Sequence, residues 1–160
     1  MPDFGKSLKK MISRSDSNAL LSECAKFFDR GEYAETVKCI DEILVEHPRC
    51  IDAHYRKGWT LNRLGLYEEA IRCFDMALES RPDYKEVLFQ KANSLAYLAR
   101  FEEAIHLYDR VLEIDPQSAD TWSNKAICYR RLGDMEKYLV CMDEVAKAKG
   151  KFQCRLMGGT

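Results

Sequence analysis

The sequence predicts an all-α fold, a solenoid of antiparallel helix pairs, and three observations carry that reading. Pro48, Pro82 and Pro116 stand 34 residues apart. Gly31, Gly65 and Gly133 keep the same interval, with Ala99 in the remaining place, and Tyr33, Tyr67, Phe101 and Met135 follow two residues after them. Between these marks apolar residues recur at three- and four-residue spacings, the period of one helix face. Punctuation at a fixed interval of about 20 to 50 residues marks a repeat array. The repeats read as residues 17–50, 51–84, 85–118 and 119–150, between a basic N-terminal segment, 1–16, and a basic C-terminal tail, 151–160.

Each repeat is expected to hold two helices. In 17–50 the turn falls at Gly31, and the second helix runs from Tyr33 through Leu44 towards Pro48. In 51–84, Tyr55, Trp59, Leu61 and Leu64 form the first apolar stripe. Gly65 ends it, at the place where a left-handed residue closes a helix. Tyr67, Ala70, Ile71, Phe74, Ala77 and Leu78 form the second stripe, and Pro82 stops it because a proline ring does not fit a helix interior. In 85–118 the matching marks are Ala92, Phe101, Ala104, Leu112 and Pro116. In 119–150, Trp122, Ala126 and Gly133 begin a fourth copy that has Tyr138 and Ala146 in the later columns and no closing proline. Gly58, Ala92 and Ala126 are small residues at one matched position, which lets two helix axes approach closely.

Composition narrows the class of function. The chain has 160 residues, 46% apolar, with 25 basic against 26 acidic side chains and a net charge of −1. That is one domain's worth of chain with enough apolar surface to bury a core. The balance disfavours a strongly basic nucleic-acid binder, and the aromatic content disfavours disorder. No apolar run is long enough to span a bilayer or to read as a signal peptide. The charge is nonetheless uneven. Residues 1–16 sum to +2 and residues 147–160 to +4, leaving an acidic body between basic ends.

These residues resemble the tetratricopeptide repeat family: a small residue on the first helix, an aromatic after the turn, Ala, an aromatic, Ala and Pro over 34 residues. Gly58, Tyr67, Ala70, Phe74, Ala77 and Pro82 match that pattern, and Ala92, Phe101, Ala104, Tyr108 and Pro116 nearly as well. The first copy departs from it, with Cys24, Thr36 and Ile40 in the signature places. The resemblance covers residues 17–150 and implies a right-handed superhelical solenoid whose first helices line a concave groove. A leucine is usual at the seventh residue of a unit, but here the residues are Glu23, Lys57, Lys91 and Lys125. The expectation is a half-exposed lysine whose stem lies on apolar surface. The alternative is an ion-pair ladder between neighbouring repeats. In this feature the array looks similar in style to archaeal arrays.

Read in that register, the groove receives Tyr55, Arg56, Trp59, Asn62 and Arg63 from the second repeat. The third supplies Phe89, Gln90, Asn93 and Tyr97, and the fourth Asn124, Ile127, Arg130 and Arg131. Aromatics and arginine dominate binding hot spots, and asparagine amides can bridge a peptide backbone. Packing of some of these aromatics between adjacent repeats is the competing expectation. Some family members clamp the C-terminal carboxylate of heat-shock chaperones with Lys, Asn, Asn, Lys and Arg. One frame puts Leu21, Ala25, Arg56, Glu86 and Gln90 at those places, the other Tyr55, Trp59, Gln90, Asp120 and Asn124. Neither keeps the clamp, so no chaperone-tail clamp is expected.

Catalytic chemistry is not announced. There is no phosphate-binding glycine loop, no nucleophile elbow, and no Cys/His zinc spacing. His47, His54 and His106 lie outside any catalytic motif. Cys39, Cys73 and Cys141 share one column of their repeats, too far apart to bridge, and are expected to be reduced and buried. That points to a cytoplasmic setting. Cys154 in the tail is the candidate reactive thiol. The sequence therefore predicts a non-enzymatic scaffold or adaptor without cofactor or metal. It would bind a protein or peptide of acidic or aromatic character in its groove, with no nucleic acid or membrane as partner. The alternative is a self-assembling structural protein, a homo-oligomer built through an uncapped last repeat and tail; Phe152, Leu156 and Met157 of that tail are the residues able to cover the final helix instead.

Overall fold

The computed structural model describes residues 17–157, with the side chains of residues 17–150 other than Asn18. The expectations for residues 1–16 and for the side chains of Phe152, Cys154, Leu156 and Met157 lie outside the described residues. Eight α-helices occupy the described chain: α1 (Ser17–Asp29), α2 (Tyr33–Glu46), α3 (Ile51–Arg63), α4 (Tyr67–Ser80), α5 (Lys85–Tyr97), α6 (Phe101–Ile114), α7 (Ala119–Leu132) and α8 (Met135–Met157). They fall into two compact units, Met1–Pro82 with α1–α4 and Asp83–Thr160 with α5–α8.

The turns inside the helix pairs share one hydrogen-bond pattern. Glu32 N–H donates to Phe27 O, Leu66 to Leu61, Arg100 to Leu95 and Asp134 to Tyr129, each five residues back, at 2.9–3.0 Å. This closure needs a left-handed residue one place earlier. Gly31, Gly65 and Gly133 take it with φ of 77°, 76° and 81°, and Ala99 takes it with φ of 60°. The second helices end as the prolines dictate. His47, Arg81 and Asp115 still donate to the carbonyl four residues back, but their ψ of 67°, 85° and 82° has left the helical region, as a following proline requires. The last helix has no such stop and continues past residue 150 to Met157.

In the first unit Leu20, Leu21, Ile40 and Ile43 form the buried centre between α1 and α2. The α3/α4 pair is drawn tight at Gly58: a Cβ there would lie 2.6 Å from the Phe74 ring. In the second unit Val87, Leu88, Ala92, Tyr108, Val111 and Ala126 are buried.

The cysteine expectation is overturned in the first repeat. Cys39 is not a reduced thiol but is bonded to Cys24, with Cα atoms 5.6 Å apart. Comparing one column across repeats tests the wrong distance. Cys24 occupies the small-residue column of Gly58, Ala92 and Ala126, where paired helices come closest, and Cys39 faces it from the partner helix. The separation falls within the span a disulfide bridges, about 4.4–6.8 Å. The other two members of that column, Cys73 and Cys141, are free and buried as expected. With Cys39 oxidised, the argument from reduced thiols to a cytoplasmic setting loses its support. No helix among the described residues is long and apolar enough to cross a membrane.

Candidate functional site

The residues assigned to the groove lie on α3, α5 and α7, and each unit presents its own cleft. In the first unit a small cleft of about 110 Å³ is lined by Leu21, Phe28, Arg56 and Trp59, among others. Trp59 stacks on Phe28 of α1, with ring centroids 4.5 Å apart and planes inclined by 26°. Phe28 in turn meets Tyr33 at 5.2 Å. Arg63 holds the other side of Tyr33, with Nη2 and Nε donating to its hydroxyl at 3.2 and 3.3 Å. Trp59 thus packs on the first repeat, as the competing expectation for the aromatics had it, and stays partly exposed, while Arg63 adds a polar tie between the same two repeats. Tyr55 is half-buried 6.5 Å from Phe74, on the side of its own partner helix. Asn62 is half-buried and does not line the cleft.

The second unit has the larger cleft, about 570 Å³. Asn93, Tyr97, Asn124, Ile127 and Arg131 line it, together with the buried Tyr108. Its polar floor is a three-residue network. Tyr108 donates its hydroxyl to Asn93 Oδ1 at 2.6 Å, and Asn124 Nδ2 donates to the same oxygen at 2.9 Å. Burial pushes the Tyr108 hydroxyl well above its usual range, so it stays a donor at neutral pH. Burial likewise pushes the Cys128 thiol up to about 11. The walls are apolar and open: Tyr97 is 71% exposed and Ile127 45%. Phe89, Gln90 and Arg130 are not part of this lining. Phe89 packs 6.1 Å from Tyr108, the Gln90 carbonyl accepts from Ser94, and the Arg130 guanidinium lies 5.9 Å from the Tyr138 ring of α8.

Tyr108 fills the signature aromatic place, and its hydroxyl also donates to Asn93 Oδ1, the oxygen that Asn124 shares. The seventh-residue lysines follow the ladder alternative at two places. Lys57 Nζ on α3 meets Asp41 Oδ1 on α2 at 2.6 Å, and Lys125 Nζ on α7 meets Asp109 Oδ1 on α6 at 2.5 Å. Lys125 also lies 5.0 Å from the Trp122 ring. His54 is structural: its Nε2 lies 2.8 Å from the Pro48 carbonyl, in the role Trp122 Nε1 plays at 3.0 Å from the Pro116 carbonyl. Among the described residues no three His, Cys, Asp or Glu side chains cluster as a metal site.

Tetratricopeptide repeat models match residues 51–84, 85–118 and 107–137, together more than half of the chain. The chain belongs to the tetratricopeptide repeat family. Comparison with curated proteins gave no match. Among solved structures, a crystal structure of MamA superposes with a TM-score of 0.85 at 15% identity, covering 94% of this chain and 86% of that one. MamA residues 41 to the end from Desulfovibrio magneticus RS-1 give 0.81 at 17% identity, covering 87% and 78%. A further structure, MamA AMB-1, gives 0.79 at 20% identity, covering 85% and 80%. At these identities the likeness establishes the fold: an all-α solenoid of antiparallel helix pairs. Family membership makes the chain a protein-interaction module of a kind that typically carries no catalytic centre. The first repeat lies outside the matched span, consistent with Cys24, Thr36 and Ile40 at its signature places.

Proposed function

We propose that the chain is a non-catalytic scaffold that takes an extended segment of a protein partner along its first helices, with the cleft of the second unit as the principal anchor site. The observation that carries this is the pairing of a rigid polar floor with exposed apolar walls. Asn93 Oδ1 accepts from both Tyr108 and Asn124, which holds two amide groups in place to meet a ligand's main-chain carbonyls. Tyr97 and Ile127 supply apolar contact on backbones already fixed in helices, which lowers the ordering cost of binding. Arg131 at the same cleft favours a segment with an acidic side chain next to an apolar or aromatic one. Arg56 repeats that chemistry on a smaller scale in the first unit. The chaperone-tail clamp has no counterpart in these residues.

The test is fluorescence anisotropy with a library of acidic-aromatic peptides against the wild type, Tyr97→Ala and Arg131→Ala. Both side chains are exposed, so neither truncation removes core packing. Each is expected to weaken the selected peptides by roughly 1 kcal/mol or more, about fivefold or more. Unchanged affinity in both variants would remove this cleft from the binding surface. The alternative, self-assembly through the last repeat, has the exposed face of α8 on its side. The charges on that face oppose end-to-end stacking of copies, as set out below.

A further inference from the structure

Within each unit the second helix of one repeat is the seat for the first helix of the next. On α6 the seat includes Ile105, Tyr108 and Leu112, which are 8%, 1% and 8% exposed with α7 packed against them. Asp109 beside them receives Lys125 from α7. In the first unit α2 repeats the arrangement with Val37, Ile40 and Leu44, and Asp41 receives Lys57 from α3. The sequence carries the same columns once more on α8, as Leu139, Met142 and Ala146, with Asp143 at the place of Asp41 and Asp109. No described helix lies on this copy. Leu139 is 62% exposed and Met142 39%. The end of α8 does not turn back to cover them, because the helix is continuous to Met157. Asp143 pairs instead with Lys147, one turn along its own helix, at 2.7 Å.

We propose that this face of α8 docks an amphipathic helix of a protein partner that carries a lysine among apolar residues, the lysine pairing with Asp143. The occupant's chemistry is given by the two helices already seated on the equivalent faces. Each places a lysine on the aspartate: Lys57 on α3 and Lys125 on α7. The apolar columns beside the ion pair bury the rest of the contact. A second copy stacking its own first helix on the seat would bring Glu23 to the lysine's place. That sets a carboxylate against Asp143, and like charges at a contact suppress the wrong partner. The site is separate from the clefts of the first helices, so it can be occupied together with them.

The test uses the full chain and a labelled synthetic peptide of residues 51–66, which carries Lys57–Gly58, alongside its Lys57→Glu form. Anisotropy gives the affinities, and hydrogen exchange locates the bound peptide. The lysine peptide is expected to slow exchange over residues 135–150, and the glutamate form to bind roughly fivefold more weakly, the upper range for one surface ion pair. In an Asp143→Lys variant, an exposed change that leaves the core untouched, the preference is expected to reverse. Equal affinity of the two peptides for the wild type overturns the proposal. So does protection confined to other helices, or sedimentation showing a dimer of the chain alone that Leu139→Glu dissolves, which would put a second copy on the seat.

Discussion

Replacing Ala99 with glycine should stabilise the protein, against the usual expectation for adding a glycine. Ala99 closes the α5/α6 turn with φ of 60°, while the equivalent turns use glycine at φ of 76–81°. An L side chain in the left-handed region costs on the order of 1–2 kcal/mol. Glycine removes that cost, and its freer unfolded chain returns about 0.4–1 kcal/mol of it. The net is a gain of roughly 0.5–1 kcal/mol. For a chain of this length that corresponds to a rise in Tm of about 1–4 °C. Gly65→Ala is the reciprocal change. A Cβ at Gly65 meets nothing within 4 Å, so its cost is conformational alone, and a loss of about 1 kcal/mol is expected. Urea unfolding followed by circular dichroism measures both, with the slope checked for constancy. The reasoning fails if Ala99→Gly lowers stability. The Ala99 methyl lines the cleft of the second unit, and a loss would mean that its packing there outweighs the backbone strain.

Gly58→Ala should cost about 1–3 kcal/mol by the same assay, because the new methyl would stand 2.6 Å from the Phe74 ring in a closely packed pair. Reducing the Cys24–Cys39 bond, or replacing both residues with serine, should lower the stability of the first unit by about 3 kcal/mol, the expectation for a loop of this size. Calorimetry with and without a dithiol reductant reads that shift, and an unchanged profile would show the bond to be energetically idle. Alkaline stability should decline between pH 9 and 11. The buried Cys128 thiol is held neutral up to about 11 against an ordinary 9.0, so its contribution is full below 9 and is lost as pH rises through 11. The effect is on the order of 2 kcal/mol, and Cys128→Ala should flatten it in thermal melts taken across that range.

The repeat was legible because proline and left-handed turn residues punctuate the chain at one interval, and that punctuation depends on backbone geometry alone. Even Ala99 could be placed in a glycine column before its φ was known. Contacts that do not follow the interval were harder to read. The disulfide joins residues 15 apart across one helix pair, and the aspartate–lysine pairs join residues 16 apart between neighbouring repeats. Comparing residues 34 apart is blind to both. Asn93, Tyr97, Asn124, Ile127 and Arg131 line one cleft, and the first-helix register groups them because position along a helix fixes the face. It could not separate these from Tyr55, Phe89 and Arg130, whose side chains reach towards second helices, because rotamer choice is settled by neighbouring rings.

The bridge between α1 and α2 also bears on how the molecule carries load. A force applied along the chain can draw out every other helix pair, but not the stretch between Cys24 and Cys39. About 50 Å of extensible contour is withheld there, taking the full reach of the 15-residue separation. In an oxidising medium the stretch from Cys24 to Cys39 would then act as a short inextensible link in an otherwise yielding tether, and a reductant would restore that length to the chain.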